Sequence, residues 1–102
     1  MDPVGAQPLP PPAPFMLGCR ECVRLLREVA DTVAADTSCL AELHAVARHI
    51  VEDHPDQIPA AHTRDCDRCP AYAARNDGDP GQLWAEHRAR DLFLPEAVAR
   101  LL

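Results

Sequence analysis

Two short cysteine pairs constrain this chain more than any other feature. Cys19-Arg20-Glu21-Cys22 and Cys66-Asp67-Arg68-Cys69 are both C-x2-C, the spacing at which one turn of backbone delivers two thiolates to the same tetrahedral ion. Each pair stands just before or at the start of a predicted helix, where unpaired N–H groups and the positive end of the dipole favour thiolate over thiol. Arg20, Arg24, Arg64 and Arg68 lie close by in sequence and can offset thiolate charge. The chain has only 102 residues, so an unaided core would be thin and a staple matters. Its N-terminus carries Asp2, no basic cluster and no apolar h-region, so it does not read as a secretory signal. In a reducing cytoplasm, the expected compartment, five cysteines favour metal or redox chemistry over a disulfide framework.

The remaining sequence reads as all-α. Residues 1–14 hold six prolines, which fix φ and remove backbone donors. The expectation is a disordered proline-rich leader over 1–16, followed by a zinc-stapled helical domain over 17–102. Val23, Leu25, Leu26, Val29, Ala30 and Val33 recur at three- and four-residue steps and predict a helix from Cys22 to about Ala35. Leu40, Leu43, Val46, Ala47, Ile50 and Val51 predict a second, from Ser38 to Asp53, stopped by Pro55. Residues 54–65 read as a loop. A short helix is predicted near Cys69, with Pro70 in its first turn, ending at the turn signal of residues 76–81. Gln82 to Phe93 and a last segment after Pro95 complete a bundle of four to five helices. No stretch alternates with period two, and no apolar run approaches the ~18 residues of a membrane span.

The ligand set is open at this level. The preferred set is one zinc held by Cys19, Cys22, Cys66 and Cys69, which pins two helix starts together. Three cysteines with His62 are the alternative. His62 stands four residues before Cys66, on one face if that stretch is helical. Cys39 reads as a small core residue. His44, His49 and His54 are five apart, about 140° per step on a helix, so they do not share a face. They read as surface or boundary positions, and His87 reads as part of a solvated helix face.

His62, Cys66 and Cys69 form H-x3-C-x2-C, and here the chain resembles the zinc-associated anti-sigma factors of bacteria. These are small α-helical proteins that sequester a sigma factor of RNA polymerase. The resemblance implies zinc as cofactor, a sigma factor as partner, and a further ligand from upstream, for which Cys39, Cys19 and Cys22 are the candidates. The chain departs from the family in its additional C-x2-C and in the proline-containing loop before His62.

Other chemistry does not assemble. There is no G-x-S-x-G, Gly-rich phosphate loop or H-E-x-x-H, and four thiolates would close a zinc site that catalysis needs open. The net charge of −6 disfavours binding that rests on phosphate neutralisation. The expectation is therefore a non-enzymatic regulatory module that binds protein rather than nucleic acid or membrane. Its docking face would be Leu94, Val98, Leu101 and Leu102, unless that segment simply covers the core. A thiol redox sensor that releases zinc on oxidation is the alternative function.

Overall fold

In the computed structural model, which describes residues 11–64, 66–74 and 80–102, the apolar stripes of the two long helices meet. α1 is the single turn Pro14–Leu17, and α2 runs Arg20–Ala34 and α3 Leu40–Asp53. α2 turns Cys22, Leu25 and Val29 inward, at steps of three and four. α3 answers with Leu43, Val46, Ala47 and Ile50. These residues form one core cluster with Met16, Ala89, Phe93 and Leu94. Fully burying a side chain of this size is worth about 1.5–3 kcal/mol, so the α2–α3 pair has an apolar reason to associate.

α2 ends in a Schellman-type turn. Asp36 adopts a left-handed φ of 57°, its N–H donates to the Val33 carbonyl, and the Thr37 N–H reaches back to the Thr32 carbonyl. These are the two closing bonds of that motif, with aspartate where glycine is usual. α3 stops before Pro55, which opens a 3-10 turn over Pro55–Gln57. Beyond it lie α4 (Arg68–Ala73), α5 (Pro80–Ala89), a 3-10 turn Arg90–Leu92, and the single turn α6 (Glu96–Ala99). The all-α expectation holds: no strand occurs among the described residues. None of their helices is long and apolar enough to cross a membrane.

Two expectations change. The leader does not extend to residue 16: Pro14–Leu17 is helical, the Ala13 N–H donates to the Leu92 carbonyl at 3.1 Å, and Met16 is fully buried. Residues 1–10 lie outside the described part. The C-terminal segment is also only half available as a docking face. Leu94 is buried and Leu102 packs against the core, leaving Val98 and Leu101 exposed. Arg90 and Arg68 hold this end down, donating to the Leu102 and Leu101 carbonyls at 3.2 and 2.8 Å.

Candidate metal centres

The two cysteine pairs do not converge on one site; each gathers its own pair of histidines. Cys19 and Cys22 stand with His49 and His54, and Cys66 and Cys69 stand with His62 and His87. In each group the four candidate ligand atoms lie within 4.8 Å of one another. Cys39, the N-cap of α3, belongs to neither group.

The first centre is built where α2 begins and α3 ends. Cys19 is the N-cap of α2, and its sulfur accepts from the Cys22 N–H at 3.4 Å. That N–H, with the His49 and His54 side chains, pulls the Cys19 thiol down from 9.0 to about 6. Burial, and then the neighbouring Cys19 sulfur, push Cys22 up to about 12. Alone, the pair holds one thiolate easily and two with difficulty, which is the electrostatic state a divalent cation resolves. His49 Nε2 stands 3.4 Å from Cys19 Sγ. His54 lies just beyond the helix, in a non-helical conformation (φ −132°, ψ 48°), and its Nε2 is buried with no hydrogen-bond partner.

The second centre joins a loop, α4 and α5. Cys69 Sγ receives the His62 backbone N–H at 3.4 Å and lies 3.4 Å from His62 Nδ1. Cys66 Sγ lies 3.3 Å from Nε2 of His87, which is fully buried. The His62 and His87 rings meet edge to face, 5.1 Å between centroids. Burial lowers the His62 pKa, but the Asp91 carboxylate and the Cys66 sulfur raise it further, and the net direction is upward. Burial and the nearby His62 push His87 down, towards the neutral imidazole that a metal requires.

These separations fit a tetrahedral ion. Sulfur at about 2.3 Å and nitrogen at about 2.0–2.1 Å from zinc stand about 3.6 Å apart along a tetrahedral edge. The three S···N separations are 3.4, 3.3 and 3.4 Å. Nε2 of His54 is buried and left without a partner by the fold; at His87 the unmatched atom is Nδ1, the ring nitrogen other than the one beside Cys66.

The structure groups these residues differently from the sequence reading, for a definite reason. The helical arithmetic that kept His49 and His54 apart ends at Asp53, where α3 ends, and His54 swings off the helix. His87 sits on α5, where a nearly uniform polar–apolar mix hides which face is buried; it is inside, not solvated. His44 stays outside both centres and contacts Arg90 instead, at 2.7 Å. The signal available was numerical: two C-x2-C pairs and five histidines hold enough ligands for two complete Cys2His2 sets, with His44 to spare. For the H-x3-C-x2-C segment, the fourth residue in the cluster is His87, downstream, rather than an upstream cysteine. A comparison with protein-family models, with characterised proteins and with solved structures finds no match to this chain.

Proposed function

We propose that the protein is a two-zinc helical module that acts by binding another protein. The observation that carries this reading is the pair of Cys2His2 groups, each with four ligands and therefore no position left for substrate. Zinc suits mixed thiolate and imidazole ligands in a tetrahedron. In this role the ions hold helices in register rather than react.

What they would hold in register is a groove of about 390 Å³ between α2 and the C-terminal segment, lined by Leu26, Val29, Ala30, Val33, Phe93 and Leu94. Exposed Val33 lies on its rim. An amphipathic helix suits such a groove, and a net charge of −6 favours a partner with basic flanks. The likeness at His62, Cys66 and Cys69 nominates a sigma factor as the first partner to test. Purified protein should carry two zinc ions per chain by elemental analysis. Calorimetric titration with the host's sigma factors should give binding that Ala30→Glu abolishes while both ions stay bound. Protein free of metal, or binding indifferent to Ala30→Glu, refutes the corresponding half of the proposal.

The reading as a redox sensor rests on Cys19, which is half-exposed and has its pKa lowered to about 6. Peroxide would take two electrons from the Cys19 and Cys22 thiolates, form a disulfide between them, and release the first ion. Zinc release into a chromogenic chelator on peroxide treatment, reversed by dithiothreitol, tests it; retention of both ions excludes it.

A further inference from the structure

Each centre has a carboxylate on the far side of one of its histidines. At the first, His49 presents Nε2 to Cys19 Sγ, while Nδ1 meets Asp53 Oδ2 at 2.8 Å. At the second the ring is used the other way round: His62 presents Nδ1 to Cys69 Sγ, while Nε2 meets Asp91 Oδ2 at 2.5 Å. We infer that Asp53 and Asp91 are positioning residues that fix opposite imidazole nitrogens on the two metal ions, Nε2 of His49 at one centre and Nδ1 of His62 at the other.

The inference rests on the two-metal reading above and adds to it which atom binds and what selects it. A neutral imidazole has one N–H and one lone pair, and the carboxylate can only accept. The nitrogen beside the carboxylate must therefore carry the proton, and the lone pair is left on the nitrogen that faces the sulfurs. The carboxylate also makes that lone pair more basic. Local geometry explains why the two rings differ. Asp53 follows His49 by one helical turn on α3, so it meets the ring at the nitrogen nearer the backbone, Nδ1. Asp91 comes from the 3-10 turn after α5, across the fold, and meets the ring at its tip. The settings also differ: the Asp53 side chain is 62% exposed and that of Asp91 24%. Water competes more for Asp53, so Asp91 should hold its histidine more firmly.

The wild-type, zinc-loaded protein gives the first test. Long-range 1H–15N correlation spectra should show His49 protonated on Nδ1 and metal-bound through Nε2, and His62 the reverse. Both rings bound through the same nitrogen would overturn the inference, while a protein that takes up no zinc would instead overturn the proposed function. The second test uses zinc competition against a chelator. Asp91→Ala should weaken the second centre by about 10–100-fold without changing the first, and Asp91→Asn, which keeps an acceptor but no charge, should restore part of the loss. Asp53→Ala should weaken the first centre by less. Because Asp53 is exposed, its replacement does not threaten folding, so unchanged affinity there together with unchanged His49 signals counts against the inference.

Discussion

The two candidate centres gather the same two residue types, two cysteines and two histidines each, in very different surroundings. The first lies where α2 begins and α3 ends, two helices whose buried faces already pack through Leu25, Val29, Leu43, Val46 and Ile50. The second draws on residues 58–74, where among the described residues the only α-helix is six residues long and Cys69 is its only buried side chain. On the two-zinc reading proposed above, one ion would reinforce a hydrophobic contact, while the other would replace a contact the sequence does not supply. Structural zinc provides on the order of 10–16 kcal/mol in small peptides. At the second centre that stabilisation would work against the conformational entropy of ordering a loop with little apolar packing of its own.

The largest effect follows from this contrast. Cys69→Ser should release the second ion and unfold the 58–74 segment, seen as loss of amide-exchange protection there and around His87. Cys22→Ser should release the first ion yet leave α2 and α3 helical, with a lower melting temperature. Equal loss of helical circular dichroism in both variants would show that the two centres are energetically alike and would break the comparison.

The same contrast explains what could be read from the sequence. α2 and α3 were legible because their stripes repeat over fourteen or fifteen residues, enough for period 3.6 to emerge. The cysteines were legible because C-x2-C is local. The histidines were not, because His54 lies beyond a helix end, His87 lies on a helix without a clear apolar face, and both meet their cysteines only through tertiary packing. α1 was hidden for a similar reason: four residues among prolines carry no periodicity, and it is the burial of Met16 and the packing of Phe15 that show the turn belongs to the core.

Met16 gives the next prediction, on the apolar side of the comparison. Met16 shares the apolar core with α2 and α3 residues, Cys22 of the first centre among them, but offers no ligand atom of its own, so Met16→Ala should cost about 2–5 kcal/mol in urea unfolding while both ions remain bound. Removal of residues 1–10 should leave both stability and metal content unchanged. If Met16→Ala instead strips the first ion, the apolar contact and the metal clip are one cooperative unit, not two supports.

The smallest expected effect separates the two sulfurs of the first centre. In metal-free protein the Cys19 pKa, lowered to about 6, makes its thiolate predominate at pH 7, whereas Cys22, at about 12, stays protonated. A depressed thiol pKa contributes stability that is complete above the unfolded value of 9.0. That contribution shrinks as pH falls and vanishes below about 6. For a group as open to solvent as this half-exposed sulfur it amounts to little. Its reactivity is the better measure, because the thiolate is the nucleophile. Iodoacetamide at pH 7 should alkylate Cys19 well before Cys22, with a rate that falls off below a midpoint near pH 6. Loading with zinc should protect both. Should Cys22 react first, the helix N-terminus would be favouring the buried sulfur over its N-cap, and the asymmetry within this centre would run the other way.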